Sequence, residues 1–109
     1  MAAVVLSPLA RQDLLDARHY IEAELQNPAA ARRVVAKIFK SLQLLKQFPL
    51  AGAPLQVSGL DTGYRTITSG NYRAFYRCEQ DTVYVVRILY ARRDFMRILF
   101  GSADTTDGT

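Results

Sequence analysis

The residues best equipped for chemistry in this chain are its arginines. Of fourteen Lys and Arg residues, seven fall between Tyr64 and Leu99, and all seven are Arg: Arg65, Arg73, Arg77, Arg87, Arg92, Arg93 and Arg97. The same stretch carries only three acids, Glu79, Asp81 and Asp94, so its net charge of +4 equals that of the whole protein. A guanidinium presents its N–H donors as a planar fork and grips a phosphate or carboxylate at two points, which a lysine ammonium cannot do. The competing reading is a solvated sheet face with ordinary ion pairs, because clustered charge alone names no partner.

Other reactive groups are sparse. Cys78 is the only cysteine, which excludes an internal disulfide and fits a reducing cytoplasm. Within a strand it reads as a small core residue before it reads as a nucleophile. His19, the only histidine, falls on the polar side of a helix and far in sequence from the arginines. A solvated residue is the simpler reading there than a catalytic one. One Cys and one His cannot build a structural zinc site, and no glycine-rich phosphate loop or Ser-His-Asp set is visible, so no metal or cofactor is expected. Tyr72, Tyr76, Tyr84 and Tyr90 invite a base-stacking reading. In strands, tyrosines more often serve cross-strand packing.

The elements that must position these groups can be read from caps and periodicity. The chain has 109 residues, half of them hydrophobic and 22% charged, which suits one globular domain. That domain is expected over residues 1–100, with the small polar tail 101–109 disordered. Val4–Leu6 predicts a strand. Ser7-Pro8 follows as N-cap and first helical residue. Ala10, Leu14, Ala17, Ile21 and Leu25 then form one apolar stripe at helical spacing. Asn27-Pro28 repeats the cap signal, so a second helix starts almost without a loop. Its apolar face is Ala31, Val34, Val35, Ile38, Leu42 and Leu45, with Arg32, Arg33, Lys37, Lys40 and Lys46 largely outside, and Pro49 stops it. Two such helices must fold back as an antiparallel hairpin.

Residues 49–63 hold two of the four prolines and three of the six glycines, and read as an irregular connection. Strands follow over Tyr64–Thr68, Tyr72–Cys78 and Thr82–Tyr90, with turns at 69–71 and 79–81. Asp94 is placed as the cap of a last short helix, Phe95–Phe100. The order β-α-α-β-β-β-α predicts an α+β fold, a small antiparallel sheet with the helical hairpin on one face. A three-residue turn at 79–81 would set Arg73 opposite Arg87 with Arg77 on the same face. A two-residue turn would slip that pairing by one. The first is preferred because it gathers the arginines. The N-terminus lacks a basic, apolar leader, and no apolar run approaches a membrane span, so a soluble cytoplasmic protein is expected.

That element order, with the ending RTITSGNYRAFYRCEQDTVYVVRILYARRD, resembles the ParE/RelE superfamily of type II toxin–antitoxin toxins, from Leu6 to Phe100. The resemblance rests on the Gly70 turn, on the aromatic strand ending in Tyr76-Arg77, and on Arg87-Ile88-Leu89-Tyr90 with the basic turn Arg92-Arg93-Asp94. The loop FPLAGAPL is similar to the family's Pro-x-x-Gly segment after the second helix. What the resemblance implies is a toxin neutralised by a co-encoded antitoxin, the two forming a hetero-oligomer.

The superfamily also implies two mechanisms, poisoning of DNA gyrase or cleavage of mRNA on the ribosome. Cleavage needs an activated 2′-OH, a neutralised phosphate and a protonated leaving oxygen. The strand hairpin offers no Lys or His, Tyr90 stands where the family often has His, and Phe95 where it often has Tyr. A Tyr near its ordinary pKa is a poor base at neutrality. The gyrase branch is therefore favoured, and an inactive antitoxin-binding module is a further alternative. Target contacts are assigned to Arg65, Arg73, Arg77, Arg87, Arg92 and Arg93. If the chain cleaves RNA, Arg73, Arg87, Tyr90 and Arg92 are its catalytic candidates. The antitoxin, folding as it binds, is expected in an apolar groove with a basic rim between hairpin and sheet. It would use exposed positions among Leu9, Tyr20, Phe39, Phe95 and Leu99.

Overall fold

Ser7 ends the first strand and starts the first helix in one step. Its hydroxyl oxygen accepts the Ala10 N–H at 2.9 Å and donates to the Val86 carbonyl at 2.8 Å. The cap therefore ties the helix start to a strand 79 residues away. The structure, a computed structural model, describes residues 2–93 and 95–101. Its elements are β1 (Ala3–Leu6), α1 (Pro8–Glu24), α2 (Pro28–Gln47), β2 (Ala53–Val57), β3 (Leu60–Ser69), β4 (Tyr72–Glu79), β5 (Thr82–Tyr90) and α3 (Phe95–Phe100). Asn27 caps α2 by accepting the Ala30 N–H at 3.0 Å, and Gln26, at φ 49°, reverses the chain between the helices.

The five strands form one mixed sheet in the order β1-β5-β4-β3-β2. β1 runs parallel to β5 and the other pairs are antiparallel. Ala10 and Leu14 of α1 and Ile38, Leu42 and Leu45 of α2 pack on one sheet face against Ala74, Tyr76, Val83, Val85 and Ile88. The opposite face buries Leu55, Phe75 and Leu89, covered by Phe95, Ile98 and Leu99 of α3. Because successive strand residues face opposite ways, β4 supplies both cores.

The α+β architecture, the helical hairpin and α3 stand where the sequence puts them; Leu25, assigned to the buried stripe of α1, is exposed. Two features differ. Residues 49–63, read as irregular, contain β2, and β3 begins at Leu60 rather than Tyr64. Pro54 hides β2 from a sequence reading, but an edge strand tolerates a residue with no N–H to donate. The hairpin register also differs from the preferred one. Glu79 pairs with Thr82, so the turn has two residues, and a bulge then leaves Val86 unpaired. Arg73 consequently faces Leu89, and Arg87 faces Phe75. The bulge has a packing reason. Val85 and Ile88 both join the helix-side core, and they are three residues apart, which strict alternation forbids. The cap assigned to Asp94 and the tail beyond Gly101 lie outside the described residues.

Candidate functional site

Three of the six arginines assigned to a target are engaged within the chain. Arg87 forms a two-point pair with Asp13 of α1: Nε donates to Oδ2 and Nη2 to Oδ1, both at 2.8 Å. The Ile88 N–H donates to the same Oδ2 at 2.9 Å. Side-chain exposures of 19% for Arg87 and 8% for Asp13 put this pair largely out of water. The hydrogen bond to Asp13 raises the Arg87 pKa further, which fixes it as a cation.

Arg65 holds the loop after α2, its Nη1 donating to the carbonyls of Gly52 at 2.8 Å and Leu50 at 3.3 Å. Arg77 pairs with Glu79 and lies over the Tyr84 ring, 4.7 Å from its centroid. The remaining three sit differently. Arg73 lies 5.6 Å over the Phe95 ring on the α3 side of the sheet. Arg92 and Arg93 are exposed beyond the end of β5, and neither makes an ion pair with another described residue.

The loop that Arg65 holds is built around Tyr76. That side chain is fully buried, donates its hydroxyl to the Pro49 carbonyl at 2.9 Å, and accepts the Gly52 N–H at 2.9 Å. A Cβ on Gly52 would lie 2.5 Å from the Thr66 carbonyl and 2.6 Å from the Tyr76 hydroxyl. The Pro-x-x-Gly segment is thus a packing device, in which only glycine lets the loop reach the sheet. Cys78 donates to the same Pro49 carbonyl at 3.6 Å, and burial pushes its thiol pKa up, the reverse of an activated nucleophile.

A groove of about 790 Å³ opens between the helices and the ends of β4 and β5. Tyr20, Ile21 and Leu25 form its helix wall, and Tyr72, Tyr90 and Arg93 line its sheet side. Tyr72 and Tyr90 meet edge to face at 5.7 Å. Burial pushes the Tyr72 pKa up, with smaller contributions from Tyr90 and Tyr20. Arg93 is the one basic residue among the groove's described lining, which also includes Asp13 and Asp16.

Of the positions assigned to an antitoxin, Tyr20 lines this groove. Leu9 and Phe39 are exposed elsewhere on the helices, while Phe95 and Leu99 pack on the opposite sheet face. These five do not form a single surface. His19 is exposed on α1, and no cluster among the described residues could hold a metal ion. No helix is long and apolar enough to cross a membrane.

Sequence reasoning missed Asp13. A signal was present: Asp13 lies three residues after Ala10 and four before Ala17, beside the buried stripe, where a carboxylate must find a partner.

A helical hairpin on one face of an open mixed sheet, with a short helix on the other, is the RelE/ParE-like fold. The family described as the ParE toxin of type II toxin–antitoxin system, parDE, matches residues 4–95, and the chain belongs to it. The fold is shared with the chromosomal ParDE system of P. aeruginosa, at 24% identity and TM-score 0.69 over 84% of this chain and 98% of that one. The RelBE2 toxin–antitoxin complex of Mycobacterium tuberculosis is similar at 24% identity and TM-score 0.61, covering 82% and 96%. A YoeB/ParE toxin from Agrobacterium tumefaciens follows at 21% identity and TM-score 0.55, covering 81% and 96%. No curated protein matches the chain in sequence.

Proposed function

We propose that this ParE-family toxin arrests growth by binding DNA gyrase and not by cutting RNA, and that a co-encoded antitoxin neutralises it. The observation that carries this reading is the fate of the strand arginines. Cleavage would need a guanidinium free to meet the scissile phosphate, beside a group able to accept the 2′-OH proton. Arg87 is committed to Asp13 and Arg65 to the 50–52 loop; Arg73 and Arg92 stay open, but the only histidine, the usual proton acceptor, stands exposed on α1. What remains open to a large acidic target is a binding surface, Arg92 and Arg93 at the strand end with Arg73 on the α3 side.

The antitoxin is assigned to the groove between α1, α2 and the β4–β5 ends. Its apolar floor suits a segment that folds as it binds, and Arg93 at its edge suits an acid on that segment. Tyr90 and Arg93 line the same groove, and this neighbourhood keeps ribosome-dependent mRNA cleavage as the second reading. Two assays run side by side separate them. Purified toxin is expected to block supercoiling by gyrase and to leave mRNA intact on programmed ribosomes. Cuts at the ribosomal A site with unimpaired supercoiling would reverse the assignment. Harmless expression and inactivity in both assays would leave an antitoxin-binding module.

A further inference from the structure

The arginine strands are not the only basic surface. α2 carries Arg32, Arg33, Lys37, Lys40 and Lys46 and no acidic residue, and none of the five makes an ion pair with another described residue. Arg33, Lys37 and Lys40 stand at i, i+4 and i+7, on one exposed stripe. Like charges one helical turn apart, about 5–6 Å between Cβ atoms, oppose the helix that carries them. That repulsion is relieved when an anion sits along the stripe.

Lys37 and Lys40 also form one wall of a cleft of about 350 Å³, closed on the other side by the β3–β4 turn. Its lining is Lys37, Lys40, Ser41, Leu44, Thr68, Ser69 and Gly70, which offers two ammonium groups, three hydroxyls and no carboxylate. The Ser69 hydroxyl makes no hydrogen bond to another described residue and is closed off from solvent, so Lys37 and Lys40 are the charged donors that a ligand in the cleft would meet. Lysine point charges with neutral O–H donors suit the several oxygens of one phosphate better than the flat edge of a carboxylate, for which an Arg fork is the usual choice. The same turn touches the basic end of β5, since the Ala91 N–H donates to the Asn71 carbonyl at 2.7 Å. Cleft and Arg92-Arg93 turn therefore stand at one end of the sheet.

We infer that the α2 stripe and this cleft form a phosphate-binding site that holds the sugar–phosphate backbone of nucleic acid without regard to sequence. Each lysine neutralises one phosphate and releases its counterion. The inference goes beyond the choice of target, because purified toxin must bind nucleic acid with neither gyrase nor ribosome present.

The test is fluorescence anisotropy with a short mixed-sequence duplex DNA, and in parallel a single-stranded RNA, titrated across salt concentrations. Lys37→Ala with Lys40→Ala should flatten the slope of log K against log salt by about 1.8 for duplex, at ~0.9 per phosphate contact. Scaled from 1 M to 0.1 M salt, that slope corresponds to roughly 60-fold weaker binding. The tighter of the two nucleic acids identifies the source of the phosphate.

Absence of binding to both would overturn the inference. So would an equal loss from Lys46→Ala, which lies on the same helix outside the cleft and would show diffuse charge. A polyglutamate peptide bound as tightly, with the same dependence on Lys37 and Lys40, would assign the site to an acidic protein segment instead.

Discussion

Removing Arg87 should damage the fold before it damages any contact with a target. Its guanidinium meets Asp13 at two points of 2.8 Å, and side-chain exposures of 19% and 8% leave little water to take over. Arg87→Met leaves the Asp13 carboxylate buried with one donor, the Ile88 N–H, and breaking such a pair from one side costs about 3–5 kcal/mol. Asp13→Ala strands the guanidinium and the Ile88 N–H together and belongs at the upper end of that range. Asp13→Asn keeps an oxygen for the Ile88 N–H and should cost less than Asp13→Ala.

In the double variant Asp13→Leu with Arg87→Met both charges are gone. The residual cost is mainly the unsatisfied Ile88 N–H, about 1–3 kcal/mol. The single losses of Asp13→Leu and Arg87→Met, about 3–5 kcal/mol each, therefore together exceed the double by at least about 3 kcal/mol, which is the coupling that a double-mutant cycle reads. Urea unfolding supplies the measurement. At an m value of about 1.5 kcal/mol/M, a 4 kcal/mol loss moves the midpoint down by nearly 3 M, a large part of a small domain's stability. Arg87→Met within about 0.5 kcal/mol of the parent, or coupling below that value, would refute the structural assignment. A double variant that folds but no longer arrests growth would return Arg87 to the target interface.

Gly52→Ala is expected to cost about 3 kcal/mol or to prevent folding, because its Cβ would meet the Thr66 carbonyl at 2.5 Å and neither backbone can yield; an unchanged melting curve would contradict this. Burial raises the phenol pKa of Tyr76 and Tyr72 above 10.0, so the folded state favours their neutral forms; that contribution is intact below about pH 10 and is lost as pH rises through the raised values. Alkaline titration at the phenolate absorbance should show these groups ionising late, together with unfolding. Tyr76→Phe should remove part of this alkaline sensitivity while costing about 2 kcal/mol at neutral pH, through the stranded Gly52 N–H and a Pro49 carbonyl left with only the weak Cys78 S–H donor. Ser7→Ala removes a cap and a tie to β5 at once and should cost about 2 kcal/mol, above an ordinary cap, as read by thermal unfolding. Arg92→Ala with Arg93→Ala should change stability by less than about 0.5 kcal/mol per site yet abolish growth inhibition; full toxicity would make these two a solvated surface.

What the sequence disclosed depended on whether the signal was local. Ser7-Pro8 and Asn27-Pro28 each act within one helical turn, and both helix starts lie where those pairs predict. The family's turn glycine was equally legible: Gly70 takes φ 59° at the first central position of a two-residue hairpin turn. β2 was hidden because its pairing is remote and partial. Pro54 lies opposite Arg65, and Leu55 is its one buried residue, so no alternation survives over five positions. The bulge at Val86 was illegible for a different reason. VVRILY reads as a continuous strand, and only the need for both Val85 and Ile88 on the helix side forces the extra residue. Arginine roles were the least legible, because a guanidinium's use depends on where a distant carboxylate or carbonyl comes to rest.

That dependence explains why charge counting alone could not show which arginines are tied up within the chain. The +4 of the 64–99 stretch is real, but Arg65, Arg77 and Arg87 answer to groups inside the chain, two of them on elements far away in sequence. Each such tie fixes an arm of the fold: the loop after α2 to β3, and α1 to the open edge of β5 where β1 has ended. β1 pairs with β5 only as far as Leu6 and Val85, so the Ile88 N–H would face an unoccupied edge without Asp13. The carboxylate thus continues, through one side chain, the pairing that the short first strand leaves unfinished, and Arg87 makes that burial tolerable. Positive charge free to act outward is shifted to the end of the sheet and onto α2, where the helix carries five cations and no acid. Arg65 and Arg87 thus hold loop, sheet and hairpin together, and the cations left outside such ties lie at the strand end and on the α2 face.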